Sequence, residues 1–145
     1  MTAPRIAVAT LQRGRRAQLA NQARGLLAQT LAPERYVIVS MDDSDVHPVP
    51  EWPAAAPTTL EPLPHPVASD EPLPLAAARN RAAAAAAAAG ADLLVMLDVD
   101  CIPGPRLVER FAAAHAATGG AAILLGPVGR LAAGDAVGGR DGGPS

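Results

Sequence analysis

The chain contains no lysine: all twelve of its basic residues are arginine. Schiff-base chemistry, and every other mechanism that needs a side-chain amine, is thereby excluded. Aromatic residues are nearly absent, since Tyr36, Trp52 and Phe111 are the only three in 145 residues. The core must therefore come from Leu, Ile, Val and Ala, which bury less area per residue than rings do. The single cysteine, Cys101, excludes an intramolecular disulfide and fits a reducing compartment. Nor is there an excess of positive charge: the formal net charge is −2, which argues against nucleic acid as a partner. No apolar run approaches the roughly 20 residues that span a bilayer, so no transmembrane segment is expected. The N-terminus also lacks the apolar stretch of a secretory signal, which makes a cytoplasmic location the expectation.

What is present reads as one α/β domain. The run Arg5-Ile6-Ala7-Val8-Ala9-Thr10 follows Pro4 and is short and partly β-branched, as a buried strand would be. From about Arg15 to Thr30, apolar positions Leu19, Ala23, Leu26, Leu27 and Leu31 mark the stripe of an amphipathic helix, with arginines and glutamines elsewhere on its surface. Tyr36-Val37-Ile38-Val39-Ser40-Met41 reads as a second buried strand. Strand, helix and strand with short connections predict a βαβ unit with parallel neighbours.

Between His47 and Pro74 lie nine prolines, which forbid a helix and any long central strand. Only a brief strand near residues 58–63 fits this extended crossing. Helix returns at residues 75–89, where Leu75-Ala76-Ala77-Ala78-Arg79-Asn80-Arg81 runs into eight alanines before Gly90. Asp92-Leu93-Leu94-Val95-Met96-Leu97 is the most apolar run and reads as a central strand. A helix from about Pro105 to Thr118 and a strand at Ala121–Leu125 follow. The sequence loses periodicity near Ala132, so the expected division is a domain over 1–131 and a Gly-rich, disordered tail over 132–145.

Carboxylates cluster after two of these strands: Asp42 and Asp43 after the second, Asp98 and Asp100 after the most apolar one. Ligands of open α/β sheets bind at that edge. Asp98 and Asp100 are two residues apart, so both can lean towards one point, where they repel unless a cation or proton intervenes. A hard divalent ion suits such a pair, above all when a diphosphate adds oxygens. A strand that simply ends in solvated aspartates leaves the same pattern. Arg79 lies near a helix start, where dipole and guanidinium both favour anions, and an ordinary ion pair with a strand-end aspartate is the plain alternative. Arg13, Arg15 and Arg16 can meet a phosphate or can mark a solvated helix start. His47, His65 and His115 are too scattered to share a metal, and Cys101 reads as a packing residue.

Four segments in order resemble a family 2 glycosyltransferase over about residues 5–130: Ile6-Ala7-Val8-Ala9-Thr10, Val37-Ile38-Val39-Ser40-Met41-Asp42-Asp43-Ser44, Leu75-Ala76-Ala77-Ala78-Arg79-Asn80-Arg81-Ala82, and Leu94-Val95-Met96-Leu97-Asp98-Val99-Asp100-Cys101-Ile102-Pro103. The resemblance implies a GT-A fold, that is, a three-layer, Rossmann-like and mostly parallel sheet with helices on both faces. It also implies a nucleotide-diphosphate sugar as donor and transfer to an unknown acceptor. Thr10, Asp42, Asp43, Arg79 and Asp98 would bind the donor nucleotide. Asp98 and Asp100 would hold Mg²⁺ or Mn²⁺ against the diphosphate.

Members of that family are usually longer, with a catalytic base and an acceptor region beyond the metal-binding strand. Nothing after Asp100 reads as such a base, because Glu109 lies on a helix and Asp135 and Asp141 in the tail. The expectation is thus a truncated donor half without turnover. Two other readings stay open. One is a non-catalytic nucleotide-binding α/β module. The other is a haloacid-dehalogenase-like phosphatase, in which Asp98 would be the nucleophile, although the basic residue that such enzymes usually supply as lysine is missing here.

Overall fold

The computed structural model describes residues 3–44, 46–120 and 129. The elements run β1 (Ile6–Gln12), α1 (Arg16–Leu27), β2 (Arg35–Ser40), β3 (Thr59–Pro64), α2 (Leu75–Ala88), β4 (Leu93–Asp98) and α3 (Leu107–Ala117). The strand expected at Ala121–Leu125 and the tail from Ala132 lie outside the described residues.

The strands form one parallel sheet in the order β3-β2-β1-β4. Its pleat sorts side chains to two faces. On one face Ile6, Val8, Tyr36, Ile38 and Val95 pack against Leu19, Ala23 and Leu26 of α1 and Val108 of α3. On the other face Ala9, Val37, Val39 and Met41 meet Ala78 and Ala82 of α2. The chain is therefore a small Rossmann-like α/β fold with helices on both faces, as the alternation of strand and helix patterns leads one to expect.

Two local corrections and one expected strand carry physical content. The buried face of α1 is Leu19, Gln22, Ala23 and Leu26, whereas Leu27 and Leu31 are 41% and 38% exposed. A polar residue thus completes the i, i+3, i+4, i+7 stripe. Next, β4 lies at the edge of the sheet among the described residues, not at its centre, and Met96 is 40% exposed. The brief strand expected in the proline-rich crossing is present, and Pro62 and Pro64 sit inside it. They are tolerated because Thr59 N and His65 N donate to Glu34 O and Ser40 O of the β2 side. The even-numbered positions therefore turn their nitrogens outward, where a missing N–H costs no ladder bond. The same prolines deny the edge to another strand.

The α2 helix has almost no amphipathic contrast, yet it packs. Ala78, Ala82 and Ala86 are buried at spacings of four, so one column of methyl groups lies on the sheet. Ala82→Leu should overpack this contact and cost about 1–3 kcal/mol in urea unfolding. Ala83→Leu, on the exposed side of the helix, should leave the midpoint unchanged.

Tyr36 gives a second test. It is fully buried, and burial pushes its phenol well above the ordinary range. In the unfolded chain it ionises near pH about 10. The folded state then holds more protons, so stability is intact below that pH and falls as the pH rises above it. Tyrosinate absorbance, which reports this one residue alone, should appear together with loss of helical circular dichroism and not before it.

Candidate functional site

The strand order reverses between β1 and β4, since the chain leaves β1 towards β2 and returns to the far side as β4. In open α/β sheets the crevice at such a switch point is where ligands bind. A hollow of ≈ 280 Å³ opens there, at the small end of ligand-sized sites. Leu11, Leu75, Met96 and Val99 supply its apolar part. Arg15, Arg79, Asp98 and Asp100 supply its charge.

The pleat explains which residues reach it. Leu94 belongs to the α2-facing cluster, while Leu93 and Leu97 belong to the other. By alternation Met96 and Asp98 then face α2, and so does Leu11, the register partner of Asp98. Asp98 and Asp100 are exposed, and their carboxylates have no hydrogen-bond or ion-pair partner among the described residues. Together with Cys101 Sγ, their ligating atoms all lie within 4.8 Å of one another. Two hard carboxylate oxygens in that space suit a divalent ion whose remaining ligands come from phosphate and water. Burial, then the charges of Asp100 and Asp98, push the Cys101 thiol up, against a lowering backbone hydrogen bond at Asp98.

The loop that carries these carboxylates is held from beneath. Gln22 of α1 is fully buried. Its Nε2 donates to Asp98 O at 2.8 Å and Cys101 O at 3.1 Å. Its Oε1 accepts from the Tyr36 hydroxyl at 2.7 Å. One turn-pair later, Gln29 Nε2 donates to Gly104 O at 2.6 Å and its Oε1 accepts from Val108 N at 3.0 Å, which caps α3. Between them Gly25 faces Pro103 so closely that a Cβ would lie 2.8 Å from Pro103 Cδ. Nothing in the amphipathic pattern marked these glutamines. The one available signal was that Gln22 and Gln29 are seven residues apart, on the same face as Leu19 and Leu26.

Arg79, Asp98 and Asp100 thus come together in one hollow, whereas Thr10, Asp42 and Asp43 do not line it. Thr10 is fully buried and donates from Oγ1 to Leu97 O at 2.9 Å. It follows Val8 on the α1 face, opposite Asp98, and ties β1 to β4. Asp42 organises the β1–α1 turn, accepting from Gln12 Nε2 at 2.6 Å and Gly14 N at 2.9 Å. Gly14 has φ +62°, a conformation that favours glycine. Asp43 accepts from Ser69 N at 3.0 Å and pins the crossing. Asp42 still follows β2 at the same edge as Asp98, two strand spacings or about 10 Å across. His47 Nδ1 is buried and 4.0 Å from Asp42 Oδ2, too far for a hydrogen bond.

A second hollow of ≈ 280 Å³ lies at the opposite, N-terminal edge of the strands. Its arginines are already paired, Arg5 with Glu34 at 2.9 Å and Arg35 with Glu61 at 3.1 Å. No helix among the described residues is long and apolar enough to cross a membrane. The chain matches no family model, no curated protein and no solved structure.

Gln22→Met keeps the length of the side chain and removes its bonding. The Tyr36 hydroxyl and Cys101 O then lose their partner, while Asp98 O keeps Cys101 N, which should cost about 2 kcal/mol or more in urea unfolding. Gln18→Met, which removes none of these bonds, should stay within about 0.5 kcal/mol of the parent.

Proposed function

We propose that the chain is the donor-binding domain of a family 2 glycosyltransferase, taking a nucleotide-diphosphate sugar through a divalent cation. The observation that carries this reading is the pair of carboxylates, Asp98 and Asp100, which have no partner among the described residues and lie at the switch point of a parallel sheet, with Arg79 lining the same hollow. The four sequence segments that resemble the family support it, since three of them end at or flank this edge. Asp98 and Asp100 would hold Mg²⁺ or Mn²⁺, and that ion would neutralise charge on the departing nucleotide. Arg79 would bind the anion electrostatically, and Leu11, Leu75 and Met96 would cover the apolar part of the donor. Asp42 and Asp43 would act by fixing the loops around the nucleoside side of the crevice.

A non-catalytic nucleotide-binding module is the second reading. It is favoured by one observation: among the described residues no carboxylate other than Asp98 and Asp100 lines the hollow. Glu109 on α3 accepts from Thr30 and Arg106 instead. Both readings require the same bound ligand, and transfer to an acceptor separates them.

Titration calorimetry with UDP and GDP, first with Mn²⁺ and then with EDTA, tests the common part. Binding should require the metal, and Asp100→Ala should weaken it roughly tenfold, equivalent to about 1.4 kcal/mol. Asp92→Ala, at the other end of β4, should bind as the parent does. A folded parent that binds neither nucleotide with metal present would refute the donor reading.

A further inference from the structure

The sheet has two edges, and the chain treats them differently. At the β3 edge Pro62 and Pro64 occupy outward-facing positions and remove the donors that another strand would need. At the β4 edge no proline does so. Leu93 N, with Asp92 N beside it, donates to Arg5 O, and Leu97 O accepts from Thr10 Oγ1. The odd-numbered positions of β4 thus turn their backbone groups to β1, and by alternation Leu94 and Met96 turn theirs away from it. No strand pairs with that side among the described residues, so the N–H and C=O of Leu94 and Met96 form a template for pairing.

The topology narrows what can occupy this edge. Helix α1 carries the chain from β1 to β2 over one face of the sheet, and α3 packs on that same face. Right-handed crossovers over this face move towards β2. A parallel strand set directly after α3 on the outer side of β4 would move the opposite way, by the left-handed crossover that folds avoid. An antiparallel strand carries no such constraint, and antiparallel edge strands are common on otherwise parallel sheets. Charge narrows the choice further. Asp92, Met96 and Asp98 are exposed and share one face at even spacing, and β4 carries no basic residue. Pairing two copies so that Leu94 joins Met96 of the second copy would set Asp92 of each opposite Asp98 of the other, and like charges so placed repel. A foreign strand with basic residues at those two positions is attracted instead.

We infer that the outer edge of β4 takes an antiparallel strand from a partner protein, an extended segment that is apolar in its middle and basic at each end. Backbone bonds at Leu94 and Met96 supply the affinity, while Asp92 and Asp98 at the two ends of the strand select the partner by charge. Met96 offers the incoming strand an apolar side chain that the fold itself leaves 40% exposed. Such pairing needs neither the nucleotide nor the metal of the donor reading.

A capped synthetic peptide, arginine-threonine-valine-threonine-valine-threonine-arginine, tests this in EDTA. Laid antiparallel on β4, it sets its valines opposite Leu94 and Met96 and its arginines opposite Asp92 and Asp98. Binding to the parent should protect the Leu94 and Met96 amides from hydrogen exchange and leave those of Leu93 and Val95 unchanged. The same peptide with glutamate at both ends should bind at least about tenfold more weakly. So should the arginine peptide to Met96→Pro, which removes one outward donor and no bond to β1, as the prolines of β3 do for β2. A peptide that binds without protecting Leu94 and Met96 sits elsewhere and overturns the proposal, a readout that uses the parent alone and does not depend on the variant folding. Equal binding of the two peptides would remove Asp92 and Asp98 from recognition and overturn the basic partner. Protection of both amides before any peptide is added shows an edge already covered, by a second copy if sedimentation gives a dimer and by the chain itself if it gives a monomer. Either overturns the partner strand. No binding of the arginine peptide at millimolar concentration overturns it too, and leaves the donor reading standing.

Discussion

A single buried amide, that of Gln22, joins the helix layer, the sheet and the loop after β4. Its two donors hold the carbonyls of Asp98 and Cys101, and its acceptor takes the Tyr36 hydroxyl. Irregular backbone packed against a helix leaves carbonyls without partners unless a side chain supplies them. An apolar residue at position 22 would bury the same area and leave the Tyr36 hydroxyl and Cys101 O without a partner among the described residues, with Asp98 O held by Cys101 N alone. The amide is costly to desolvate, but with both donors and its oxygen engaged it specifies one loop conformation where apolar packing would tolerate several. Gln29 repeats the device further along the same loop, at Gly104 and at the start of α3. Gly25, between the two, lets α1 lie directly on Pro103. The geometry of Asp98 and Asp100 therefore depends on a face of α1 that never touches the hollow.

The other wall is set by the opposite means. The α2 helix buries only methyl groups, at Ala78, Ala82 and Ala86, and so gains little from burial per residue. What small side chains give is proximity, because the buried column of α2 adds nothing larger than a methyl group to the contact with β1 and β2. That closeness carries Leu75 and Arg79 to the strand ends beside Leu11 and Asp98. One side of the crevice is thus fixed by saturated polar contacts and the other by steric smallness. Scarce aromatics fit this division: Tyr36 and Trp52 contact each other at 5.5 Å on the α1 side, and among the described residues no ring lines the hollow.

The fold was largely legible in the sequence because its signals are local. Apolar runs at β1, β2 and β4, an alanine helix stopped by Gly90, and strand-helix alternation each follow from a few neighbouring residues. The site was legible in part. Asp98, Asp100 and Arg79 stand out by type and position, and they do share one hollow. Thr10, whose expected role came from the family resemblance, lies on the face away from Asp98, where period-two alternation puts it. Gln22 escaped notice because a polar residue in a helical stripe reads as surface until its partners, some 76 and 79 positions away, are brought beneath it. The edge position of β3 could be read from its prolines; the phase of those prolines, nitrogens outward, depends on the register with β2 and could not.

Charge arithmetic at the hollow links the metal to the anion. Arg15 and Arg79 contribute two positive charges that persist at any ordinary pH, and Asp98 and Asp100 contribute two negative ones. Empty, the hollow is neutral in sum but polarised locally, with carboxylates crowded at the end of β4 and guanidiniums at the helix starts. A divalent cation alone overfills the positive side, and an anion alone meets the carboxylates. A diphosphate esterified at both ends carries two negative charges, so cation and anion together restore neutrality. Each would therefore strengthen the binding of the other, and by linkage the two enhancements are equal. On the proposed donor reading, metal and diphosphate would act as one ligand, and a measurement of either without the other would understate the affinity.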